Sequence, residues 1–163
     1  MRAELIEGEM VAMPAAFADH GRTASRINSL VGYYVLQNNL GETYTAETGF
    51  LIARNPDTIR APDFAFIQAS RLTISVLGPT WGGVIPDMVA EVVSSGERIK
   101  EIDAKVQMWL TAGVCLVWVV WPQVRMMQIY EPPALIRDLL DTEMLSGGLV
   151  LPGFTAPVAH IFG

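Results

Sequence analysis

The chain has 163 residues, 51% of them hydrophobic and 17% charged, with a formal net charge of −6. That length suits one domain with a substantial core, residues 1–163 throughout, and the composition excludes an intrinsically disordered chain. A single cysteine, Cys115, excludes an intrachain disulfide, and the acidic balance argues against broad electrostatic adhesion to nucleic acid.

The first segment, ELIEGEMVAMP, has two short extended runs around Glu7-Gly8 and is expected to form a β-hairpin. It is acidic and short of apolar residues, unlike a secretory signal. Asp19 stands where an N-cap would precede a helix running to about Asn39. His20, Ala24, Ile27, Val31 and Tyr34 fall on one helical face, and Gly41 is expected to end the helix.

Short strands are expected at TYTAE, GFLIA and PDFAFI. Residues 70–86, rich in Gly and Pro and carrying Trp81, read as a long loop able to act as a lid or interface. A buried strand, DMVAEVV, precedes a helix from about Glu97 to Ala112 capped by Gly113. The run VCLVWVVWP is too short to cross a bilayer and reads as another buried strand, with Cys115 expected in the core. RMMQIY should pair with it, and the tail around Leu151-Pro152-Gly153-Phe154 reads as a closing loop and turn. The strand-helix-strand unit at 87–120 implies a parallel crossover, so the fold class is α/β (α+β), a mixed sheet flanked by helices. A soluble, cytoplasmic protein without membrane association is expected.

Glu91 is the most informative residue. It sits among Val89, Ala90, Val92 and Val93, and a carboxylate inside an apolar strand is costly unless it is paired or metal-bound. Asp63 opens another strand behind Pro62. On the following helix, at about 100° per residue, Ile99, Ile102, Val106, Trp109 and Leu110 form an apolar stripe with Lys105 at its flank. Lys100 points to water. The helix must pack back on the sheet, which brings Lys105 toward Glu91. Two acids and an amine suit phosphodiester hydrolysis: carboxylates hold Mg²⁺ or Mn²⁺, and the lysine assists a water or the charged transition state. A buried salt bridge from Glu91 to Lys105 or to an arginine is the alternative.

These segments together resemble the Uma family of restriction endonucleases, within the PD-(D/E)XK nuclease superfamily. The resemblance is carried by ELIEGEMVAMP, His20, Glu47 ahead of GFLIA, RAPDFAF, PDMVAEVVS, a helical lysine, AGV, VWVV and LPGF. It implies a restriction-endonuclease-like mixed sheet, with Asp63 and Glu91 as metal carboxylates. In the superfamily the lysine usually follows the second acid by two positions; here that position is Val93, and the family resemblance shifts the lysine to Lys105. Trp121 stands where the family often has Asp, and Trp109 where it often has Tyr, which reads as an exchange within the core.

His20 is a candidate catalytic group or ligand, with a hydrogen-bonded, half-buried histidine as the alternative. Glu47 is a candidate metal contact or else a solvated strand-end acid, and Glu9 a weaker candidate near the metal. Gln107 is discounted. Trp81 and Trp121 can stack on bases, although core or interface packing is the commoner fate. The expected partner is DNA, cleaved by a homodimer using the Trp81 loop as its interface. The rivals are a nuclease-fold binding module without activity and a metal-dependent hydrolase of a small phosphorylated compound.

Overall fold

The computed structural model describes residues 2–72, 84–133 and 135–163. Trp81 and most of the expected 70–86 loop lie outside the described residues. The chain opens with the hairpin β1 (Arg2–Ile6) and β2 (Glu9–Met13), in which Ile6 pairs with Glu9. Glu7 and Gly8 both take positive φ, 50° and 82°, the pattern of a two-residue turn whose twist matches the flanking strands.

Helix α1 spans Ala18–Gln37 and buries His20, Thr23, Ile27, Val31, Gly32 and Val35. Two expected boundaries change. Phe17, not Asp19, precedes the first turn; Asp19 lies inside it, where a negative charge favours the helix start. Nor does Gly41 end the helix: Asn38 does, and Gly41 opens β3 (Gly41–Thr45). Glycine is needed there because a Cβ would sit 2.0 Å from the Ile67 carbonyl oxygen on the neighbouring strand.

After β3 come β4 (Phe50–Ala53), β5 (Thr58–Arg60) and β6 (Phe64–Gln68). Then follow β7 (Met88–Val92), α2 (Ile99–Ala112), β8 (Leu116–Trp121) and β9 (Met126–Glu131). The last elements are β10 (Leu135–Leu140), β11 (Met144–Ser146), β12 (Thr155–Pro157) and the single turn α3 (Ala159–Phe162). The tail is therefore more than a loop and turn. Its short strands escape a periodicity reading because three residues are too few to show alternation.

The main sheet has six strands in the order β10-β9-β8-β7-β6-β3. Only β7 and β8 are parallel, joined by the expected crossover through α2, so the sheet is mixed. A smaller sheet, β2-β1-β5-β4, is joined through Leu5 opposite Ile59. Strand alternation divides the core into two layers. Phe64, Phe66, Met88, Ala90, Leu116 and Trp118 face α1, whereas Ala65, Ile67, Val89, Val117 and Val119 face Ile102, Val106 and Trp109 of α2. With both faces covered, β7 and β8 read as near-continuous apolar runs. Ile99, expected on the α2 stripe, is 67% exposed because it begins the helix beyond the sheet edge. Cys115 is exposed at the mouth of β8 rather than in the core.

No helix among the described residues is long and apolar enough to cross a membrane.

Candidate active site

The register of β6 on β7 assembles the centre of the site. Phe64 pairs with Ala90, so one step outward Asp63 stands opposite Glu91. Both have odd numbers, in phase with Ala65 and Val89, and therefore project on the α2 side. Both acids are buried, and Asp63 is fixed by the strands themselves: its Oδ2 accepts the Val92 N–H at 2.8 Å. His20 Nε2 reaches the same oxygen at 3.1 Å from the first turn of α1.

Helix α2 closes the site from above. Trp109 donates its indole N–H to Glu91 Oε1 at 2.8 Å, and one turn earlier Lys105 Nζ lies 3.8 Å from Glu91 Oε2. The same ammonium donates to Glu97 Oε1 at 2.5 Å. Glu97 is itself held by the Ser94 N–H on its other oxygen, at 2.8 Å. Beneath, Glu4 of β1 pairs with Arg60 at 3.1 Å and accepts the Ala61 N–H at 2.9 Å, bracing the backbone two residues before Asp63. The cavity between these groups has a volume of about 400 Å³. Glu4, His20, Asp63, Glu91, Glu97 and Lys105 form its polar floor, and Met13 to Phe17 form a wall.

Burial, with the Asp63 charge adding to it, pushes the Glu91 carboxyl from its ordinary 4.5 up to about 7, against the opposing pull of Lys105, the Trp109 indole and Arg60. Burial works against the Lys105 ammonium, but Glu91 and Glu97 outweigh it and hold its pKa above the ordinary 10.5. The Glu91 shift has a sign in stability. Between pH 4.5 and about 7 the folded chain binds a proton at Glu91 that the unfolded chain has lost, so this contribution weakens as pH rises. In EDTA, urea midpoints of the wild type should fall relative to those of Glu91→Gln as pH rises from about 5 to 7. A difference that stays level across that window would mean Glu91 is not held in its protonated form.

Of the residues expected from sequence, Asp63, Glu91, Lys105 and His20 meet at this one cavity. Glu47 does not: it is exposed on the turn after β3, where the Thr48 N–H closes onto the Thr45 carbonyl and directs the acid outward. Glu9 is exposed at the start of β2, Gln107 is exposed on the far side of α2, and Trp121 donates to Gln128 away from the cavity. Trp109 is more than an exchange within the core, because its indole supplies a donor to a buried carboxylate, as a tyrosine hydroxyl would. Sequence reasoning passed over Glu4 and Glu97. Glu4 carried the signal that flagged Glu91, an acid inside a strand. Glu97 stood three residues after Ser94, the spacing of a local carboxylate-to-backbone bond.

Among the described residues no three His, Cys, Asp or Glu side chains form a cation-holding group. Of the floor's acids Glu4 is paired with Arg60 and Glu97 with Lys105, so the donor set is the two adjacent carboxylates of Asp63 and Glu91. That is too few, and too hard, for zinc. It fits Mg²⁺ or Mn²⁺, which take one or two carboxylates, retain water and complete their shell with substrate phosphate.

The fold has a solved counterpart. A crystal structure of a protein described as a "putative nuclease belonging to DUF820" from Anabaena variabilis ATCC 29413 superposes with a TM-score of 0.83. The two are 16% identical, and the match covers 98% of this chain and 89% of the other. None of the curated proteins matches the sequence. The model of one family, described as "Putative restriction endonuclease", matches residues 1–159. With nearly the whole chain matched by that model, the protein belongs to the Uma2 family.

Proposed function

We propose that this chain is a Mg²⁺- or Mn²⁺-dependent endonuclease that hydrolyses DNA phosphodiester bonds. One observation carries the reading: two buried carboxylates from neighbouring strands and one ammonium from the helix above them share a single cavity. Asp63 and Glu91 would hold the cation. Bound there, it supplies Lewis acidity at the phosphate and a water of lowered pKa.

The chain's own groups do the rest. Lys105 brings positive charge to the phosphate oxygens as negative charge builds on them, in a largely buried site where such charge acts strongly. Glu97, anchored by the Ser94 N–H, aims that ammonium. His20 and the Val92 N–H fix the Asp63 carboxylate, so its other oxygen keeps a defined direction. Trp109 does the same for Glu91 while excluding water behind it.

The test is nicking of supercoiled plasmid in Mg²⁺, in Mn²⁺ and in EDTA. Nicking that needs the cation is the expected result. Purified protein that leaves plasmid and oligonucleotides intact with either cation would sink the catalytic reading in favour of a nuclease fold kept for binding.

A further inference from the structure

The cavity has a charged floor and an uncharged wall. Met13, Pro14, Ala15, Ala16 and Phe17 connect β2 to α1 along its rim, and Phe17 is 66% exposed. Large exposed aromatics elsewhere are a matter of solvent; Tyr33, 67% exposed on the same helix, lines no part of this cavity. The cations nearest the floor are engaged. Lys105 is paired with Glu97 and Glu91, and Arg60 with Glu4. With a net charge of −6 as well, little affinity for nucleic acid can come from neutralising a run of phosphates.

A substrate for this cavity must therefore present a phosphodiester to the floor and an apolar face to the wall. A nucleotide has both, but only when its base is free. In an intact duplex the base faces are stacked inside and the outside is sugar and phosphate. The reacting acids also lie deep, Asp63 at 5% and Glu91 at 9% exposure, in a space of about 400 Å³ that suits one nucleotide rather than a groove-wide duplex.

We infer that Phe17 is a base-stacking residue and that the preferred substrate is unpaired nucleic acid, a single strand or a splayed end, with the base next to the scissile phosphate laid against the Met13–Phe17 wall. The inference rests on the nuclease reading for the role of the floor, but its binding half can be measured separately. Stacking of one base on an aromatic ring is sequence-tolerant, so little sequence preference is expected.

The experiment uses a mixed-sequence DNA oligonucleotide of about 20 nucleotides, single-stranded and as its duplex, comparable to the strand lengths that such platforms engage. Binding is read by fluorescence anisotropy in Ca²⁺ and cleavage in Mn²⁺, for wild type, Phe17→Ala, Phe17→Trp and Tyr33→Ala. The single strand should bind at least about tenfold tighter than the duplex, and Phe17→Ala should weaken that binding about five- to hundredfold. Phe17→Trp should restore it, and Tyr33→Ala should behave as wild type. Cleavage that follows the same order through KM completes the case. Equal affinity for strand and duplex, loss of affinity in neither Phe17 variant, or no binding of the strand overturns the inference even if plasmid is nicked. Phe17-dependent strand binding without any cleavage overturns the catalytic reading and upholds the stacking role.

Discussion

Asp63→Asn should lower cation-dependent cleavage by at least about a thousandfold, the equivalent of the several kcal/mol of charge stabilisation that a bound metal supplies. Asparagine is chosen because it keeps the shape. Its carbonyl oxygen, set where Oδ2 stands, can still accept the Val92 N–H and meet His20 Nε2, so the β6–β7 edge should survive. What disappears is a unit of negative charge beside Glu91. The metal should be lost with it. Calorimetric titration of Mn²⁺ should show weaker binding than wild type, and the urea midpoint in EDTA should rise, because two neighbouring buried acids no longer repel. A variant that binds Mn²⁺ as tightly as wild type would show that the cation sits elsewhere and would remove Asp63 from the reaction centre.

Lys105→Met should act in the opposite direction on the metal. It removes a positive charge from beside two carboxylates, so Mn²⁺ should bind at least as tightly as to wild type, while cleavage falls about a hundred- to thousandfold. The metal-free variant should be less stable, since Glu91 and Glu97 lose their partner, and added Mn²⁺ should recover more of that loss than it does in wild type. Lys105 is 19% exposed, so the loss will be smaller than for a fully buried pair. Activity per folded molecule equal to wild type would leave Lys105 only its ion pairs. The two variants together separate holding the cation from using it, because they move affinity in opposite senses and cleavage in the same one.

Much of this centre was legible before any coordinates because burial makes acids conspicuous. Glu91 could be read from its valine neighbours, and Lys105 from its place at the flank of an apolar stripe. Asp63 could be read as an acid at a strand start behind Pro62, but its place opposite Glu91 rests on an antiparallel register that no local pattern specifies. The β7-α2-β8 crossover was legible because a strand, a helix and a strand in succession leave few other arrangements. Helix limits were less so: Asp19 has the chemistry of a cap, yet the cap position falls two residues earlier, at Phe17. Glu47 misled because strand-end acids look alike whichever way the turn carries them. Trp109 was read as volume alone, although an indole beside a buried acid also brings a donor. The three-residue strands, β5 and the tail pair β11 and β12, were hidden by their brevity, and with β5 the link that joins the expected hairpin to β4.

Carrying the amine on a helix and the acid on a strand has a consequence for how this protein can change. Where acid and lysine share one strand, two residues apart, the pleat sets their spacing and nearby loops can grow or shrink freely. Here the connection from Val93 to Arg98 acts as a gauge. A residue inserted or deleted there breaks the three-residue Ser94–Glu97 contact and moves the carboxylate that aims the ammonium, even while the apolar stripe holds α2 in phase on the sheet. Insertions should therefore be tolerated at the β9–β10 hairpin and selected against in this short stretch, which makes its length, rather than its composition, the trait under constraint.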